Sequence, residues 1–172
     1  LAESFDADAG VIWGMELADD SKDLYLRGTD VTRNAPVVNY GNYGVMYDVN
    51  FRTHGKNATQ LRFNPYGGPY AGEGILAVEG ETARYLRIPE SSLSFGWDHD
   101  GETMKLGTVP PGKSGSFYFS PPGSSNLPVR IFWEGKAGSR LEEKSGKVRT
   151  AEQILAERLA RKEHKGNSTK RK

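Results

Sequence analysis

Apolar and polar residues alternate with a period of two through most of the first 135 residues. In "VMYDVNF", Val45, Tyr47, Val49 and Phe51 fall on one face, while Met46, Asp48, Asn50 and Arg52 fall on the other. That is the pattern of a strand with one side buried. Val11, Trp13, Met15 and Leu17 make a similar face near the start. Leu24 and Leu26 mark a short second strand, and Leu61 with Phe63 follows the turn-like "HGKNAT". "GILAVEG" and "ARYLRIP" read as two strands around Gly80. "SLSFGW", "MKLGTV", "SFYFS" and "PVRIFW" complete the set, with Val129, Ile131 and Trp133 on one face of the last.

Loops rich in Pro and Gly ("NPYGGPYAGEG", "VPPGKSG", "SPPGSSNLP") punctuate these strands at the spacing of a two-layered all-β domain. Residues 1–135 are therefore expected to form an antiparallel β-sandwich of about eight to ten strands, immunoglobulin-like in the broad sense. The pattern changes after Trp133. Residues 136–149 read as a polar linker. Residues 150–165 read as an amphipathic basic helix, with Thr150 and Gln153 spaced as a capping box and Ala151, Ile154, Leu155 and Leu159 as its apolar stripe. Residues 166–172 read as a disordered basic tail.

Charge sharpens this division. The 172 residues carry a net +1. From Lys147 onward there are nine Lys/Arg and three Glu, a net of +6, which leaves −5 for the rest. No aromatic residue interleaves with the basic ones after Trp133, so specific nucleic-acid readout is not expected. No stretch reaches the ~18 apolar residues of a membrane span. There is no cysteine, which excludes disulfides, thiolate metal sites and a Cys nucleophile. Glu3, Asp6 and Asp8 crowd the start, so no leader profile is visible; an exported form would have lost its leader before Leu1.

Catalytic signatures are sparse. There is no G-x-S-x-G elbow and no phosphate-cradling loop, and the three histidines, His54, His99 and His164, stand far apart. The turn "DHDGE" places Asp98, Asp100 and Glu102 together, a weak candidate for Ca²⁺, and a glycan hydrolase would use carboxylates around Asp98 and Asp100, although so many acids guarantee some pair by chance. "FDADAG" is a still weaker calcium candidate. No cofactor is expected. The aromatic side chains carry more information. Tyr40, Tyr66, Tyr70 and Trp97 lie in Gly/Asn/Pro-rich segments, and flat rings beside amides suit sugar rings. In the repeated "NYGNYG", strand parity turns Tyr43 toward the core and Tyr40 away from it, unless Gly41 and Gly44 break the register.

Three stretches, "LYLRGTDVTRNAPVVNYGNYGVMYDVNF", "LRFNPYGGPYAGEGILAVEG" and "LGTVPPGKSGSFYFSPPGSSNLPVRIFW", resemble a β-rich module of secreted, wall-associated Gram-positive proteins. That module accompanies the stalk-like "copper amine oxidase N-terminal" domain. The resemblance spans residues 23–133 and omits the linker and helix. It implies an extracellular β-domain, secreted or bound to the cell wall. Oxidase chemistry does not follow. Copper amine oxidases make their quinone from the Tyr of Asn-Tyr-Asp/Glu and use a His-x-His copper pair. Here Tyr40 and Tyr43 are each followed by Gly, and no His-x-His exists.

The expected function is a non-catalytic extracellular module for cell-envelope structure, adhesion or assembly. Its partners would be cell-wall polysaccharide or further copies of itself. A carbohydrate-binding module is the alternative, and a glycan-active enzyme the remote one. The N-terminal "LAESFDADAG" and the C-terminal helix are the segments that could be donated to a neighbouring copy.

Overall fold

A computed structural model describes residues 2–10, 12–97 and 102–135. The expected linker, helix and tail lie outside the described residues, as do Asp98 and Asp100. Within them the protein is all-β, with eleven strands. These are β1 (Ala2–Asp6), β2 (Ile12–Leu17), β3 (Arg27–Asp30), β4 (Ala35–Val38), β5 (Tyr47–His54), β6 (Thr59–Asn64), β7 (Gly72–Val78), β8 (Arg84–Ile88), β9 (Met104–Val109), β10 (Ser114–Phe119) and β11 (Val129–Glu134).

Five strands form one sheet in the order β1-β5-β10-β7-β8, four form a second in the order β2-β11-β6-β9, and β3-β4 is a separate hairpin. The alternation read from the sequence decides which side chains face inward. In β5, Tyr47, Val49, Phe51 and Thr53 are buried, while Asp48, Arg52 and His54 are exposed. The inward faces of the two sheets meet in one core, a sandwich-like arrangement. Phe51 of the first sheet meets Trp133 of the second with ring centroids 5.8 Å apart, and Phe119 meets Phe63 at 6.0 Å. Each such pair contributes ~0.5–1.5 kcal/mol beyond its area burial.

Two glycines make room for this aromatic packing. A Cβ on Gly74 would lie 2.6 Å from the Phe117 ring, and one on Gly115 would lie 2.5 Å from the Phe51 ring. Both glycines sit on the inner face of the first sheet, where neighbouring rings cover them.

Four expectations are corrected. β1 pairs parallel to β5, so the pairing is not wholly antiparallel. That pairing buries Phe5 and Ala7. Leu24 and Leu26 are exposed loop residues, and the strand follows them as one arm of the β3-β4 hairpin. "SLSFGW" contributes only the bridge of Phe95 to Tyr70.

The fourth correction concerns "NYGNYG". Gly41, Asn42 and Gly44 all adopt positive φ (88°, 51° and 76°), so the segment is a loop and β5 begins only at Tyr47. Tyr43 therefore does not enter the core along the strand. It is exposed, and its hydroxyl donates to the Ser125 carbonyl at 2.7 Å. Asn42 is the buried member: its amide donates to the Leu24 carbonyl and the Tyr47 hydroxyl, and its oxygen accepts from Leu26 N–H.

Candidate functional site: the outer face of the five-stranded sheet

Strand pairing places Tyr118 of β10 opposite Ile75 of β7, and Ile75 opposite Tyr85 of β8. All three point away from the core. Their exposures are 36%, 45% and 64% respectively, so large apolar side chains form a row across the open sheet. Exposed Met46 and Leu93 flank the row and help line a cavity of about 550 Å³. A sheet face with only solvent above it normally carries polar side chains, so a contiguous apolar row is the informative feature.

The row is locally positioned. The Glu73 carboxylate beside the Tyr85 hydroxyl, ahead of desolvation, raises the phenol above its ordinary range. Glu73 is in turn paired in register with Arg87. In β10, "SGSFYF" sends Gly115, Phe117 and Phe119 inward and Ser114, Ser116 and Tyr118 outward.

Further along the same face the floor drops. Ser114, Ser116 and Ala77 bear short side chains, and with Asn50, Arg52 and Glu79 they line a second cavity of about 510 Å³. Ser116 and Ala77 stand one outward position from Tyr118 and Ile75, so the two cavities are halves of one trough, aromatic at one end and polar at the other.

The four aromatic residues expected as a platform are not one surface. Tyr40 is 70% exposed and meets Tyr25 edge-on at 5.8 Å. Tyr66 is half-buried beneath the Arg130 guanidinium, 4.6 Å from its ring centre, and Arg130 also donates to Glu16 at 2.6 Å. Trp97 is exposed, with its indole N–H donating to the Ser94 hydroxyl. Tyr70 is a correction: it is fully buried, 4.8 Å from the Phe63 ring, and its hydroxyl has no hydrogen-bond partner among the described residues. Burial pushes its phenol upward. It is a core residue and offers no surface.

The loops carrying Tyr40, Tyr66 and Tyr70 do converge at one end of the sheets. Gly44 N–H donates to the Pro121 carbonyl, Gly67 N–H to that of Pro128 and Asn126 N–H to that of Pro69. The Ser125 hydroxyl donates to the Ala71 carbonyl at 2.8 Å. Met46, Ala71 and Pro122 from this junction close the aromatic end of the trough. Tyr85 and Tyr118, absent from the expected platform, are the aromatics that share a face. A signal for Tyr118 was present in "FYF", because three consecutive strand residues cannot all face inward.

Of the calcium candidates, Glu102 is engaged otherwise: its carboxylate accepts from Gly96 N–H at 2.5 Å. Among the described residues, no group of three His, Asp or Glu could hold a metal ion, and no helix is long and apolar enough to cross a membrane.

No protein-family model matches the chain, and neither does any curated protein.

Proposed function

We propose that this protein is a non-catalytic extracellular β-sandwich module, immunoglobulin-like in the broad sense, that binds an extended polysaccharide of the cell envelope along the outer face of its five-stranded sheet. The observation that supports this is the registered row Tyr118–Ile75–Tyr85. The two tyrosines are two strand spacings apart, roughly 10 Å. That span is close to the disaccharide repeat of an extended glycan, so alternate sugar rings can meet alternate tyrosines. Aromatic faces take the apolar face of a pyranose, and the polar groups beside them bond its hydroxyls. Glu73 and Arg87 stand next to the row for that purpose. The open trough suits a polymer that runs past the protein more than a small molecule enclosed within it. A wall location follows from the family resemblance and from this choice of ligand.

The test is affinity electrophoresis of the full chain through gels containing soluble cell-wall polysaccharides. Retention is expected for the native chain, and Tyr118→Ala combined with Tyr85→Ala should weaken it at least about tenfold while leaving the circular dichroism spectrum unchanged. Equal retention of native and doubly substituted chains would overturn the reading.

A further inference from the structure

We propose that the polysaccharide is an acidic one, and that Arg52, with Asn50 and Ser114, takes its carboxylate in the polar half of the trough. This rests on the platform reading above and adds the chemistry of the ligand.

The polar half presents an excess of donors. Arg52 pairs in register with Ser114, and Asn50 with Ser116, so the four side chains form a compact outward-facing square. The Ser116 hydroxyl donates to Asn50 Oδ1 at 2.6 Å, which leaves the amide N–H₂ of Asn50 as the group offered to a ligand. Arg52 has no acidic partner among the described residues. The acid that lines this half, Glu79, is already engaged: it accepts from Ser114 N–H at 3.2 Å and faces Lys113 Nζ at 3.9 Å. An exposed guanidinium fork beside an amide donor and a hydroxyl matches the two oxygens of a carboxylate.

The low floor makes this site reachable. Ser114, Ser116 and Ala77 leave depth above the sheet at the point where Tyr118 and Ile75 no longer fill it. Ser114 is four residues from Tyr118 along β10, about 13 Å at strand rise. β5 lies beyond β10 from β7 and β8, so a glycan that crosses the row from Tyr85 to Tyr118 and then turns along the strands brings a sugar a few units past Tyr118 over Arg52. The two halves divide the work: the aromatic half holds ring faces, and the polar half selects chains bearing uronic acids.

The experiment compares retention of the full chain on polygalacturonate, on its methyl-esterified form, on a neutral glucan and on a phosphodiester wall polymer. At low salt, polygalacturonate is expected to bind about tenfold more tightly than its ester, with the advantage shrinking as salt rises. Arg52→Gln should abolish that advantage while keeping retention on the ester, and Arg52→Lys should recover part of it. Equal binding of acid and ester by the native chain overturns the proposal and leaves the platform intact. So does tighter binding to a phosphodiester wall polymer than to polygalacturonate, or an undiminished advantage in Arg52→Gln. Failure of all four polymers to bind overturns the platform reading, and this proposal with it.

Discussion

Phe117 and Tyr118 are consecutive in β10 and face opposite sides of the same sheet. Phe117 is fully buried, stacked on Phe119 at 5.3 Å, whereas Tyr118 stands in the exposed row with Ile75. Their substitutions should therefore separate stability from binding. Phe117→Ala is expected to cost ~3–5 kcal/mol through the cavity it leaves. Tyr118→Ala should change stability by no more than about 1 kcal/mol and weaken polysaccharide retention. Urea denaturation beside affinity electrophoresis measures both. Comparable destabilisation by the two would place Tyr118 in the packing and not on a binding face.

Tyr70 makes the opposite case, an aromatic whose polar end has no partner. Its hydroxyl is buried without a hydrogen bond among the described residues, while its ring packs on Phe63. Removing an unsatisfied buried group relieves its desolvation cost. Tyr70→Phe should therefore be neutral or stabilising by about 1 kcal/mol, and Tyr70→Ala should lose ~3–5 kcal/mol. A clear loss of stability in Tyr70→Phe would show that the hydroxyl is satisfied in solution.

The loop between β2 and β3 makes stability depend on pH at both extremes. Partial burial acts to raise the Asp19 pKa, but the Ser21 hydroxyl and the N–H groups of Asp23, Ser21 and Lys22 overcome it and bring it from 3.8 to about 2. A depressed folded-state value contributes stability above the unfolded value, and that contribution is lost as pH falls toward 2. Asp19→Asn should therefore flatten the acid side of the thermal-stability profile between about pH 4 and 2. Tyr47 acts in the other direction. Burial, and then donation of its hydroxyl to Asp23, raise the phenol above its ordinary 10.0. Its contribution is complete below pH 10 and declines as pH rises beyond it, so Tyr47→Phe should flatten the alkaline side. Unchanged slopes in these variants would assign the dependence to other groups.

Asp8 ties the N-terminal strand to the β5-β6 turn. Its carboxylate accepts from Lys56 N–H at 2.7 Å and from the Asn57 side-chain amide at 2.6 Å, and these bonds lower its pKa. Asp8→Ala should speed amide hydrogen exchange at Lys56 and through β1, with the amides of β10 unaffected. Uniform acceleration across the sheet would instead indicate global destabilisation.

Much of the strand inventory was legible because burial on one side of a sheet imposes a period of two. The faces of β5, β6, β10 and β11 follow directly from residues such as Val49, Phe63, Phe117 and Ile131. The misreadings arose where local chemistry overrides period. Successive positive φ at Gly41, Asn42 and Gly44 turned an apparent strand entry into a loop. The hairpin of Gly28 and Val37 has no strong alternation, since neither of its sides is buried in the core.

The candidate site was less legible. Tyr40, Tyr66, Tyr70 and Trp97 shared a composition of Gly, Asn and Pro around them, and composition does not report which residues face the same way. Tyr70 was drawn into the core by packing on Phe63 and Phe95, which no local pattern announces.

What the sequence by itself determined is the side of its own strand that each residue takes, because the extended backbone sends successive side chains to opposite faces. It thereby set Tyr118 apart from Phe117 and Phe119. Only the tertiary structure decided that β10 lies beside β7 and β7 beside β8, which brings Tyr118, Ile75 and Tyr85 into one row and Arg52 beside Ser114. Strand order and register depend on hydrogen bonds and core contacts between segments far apart in the chain, and a local period contains no term for them.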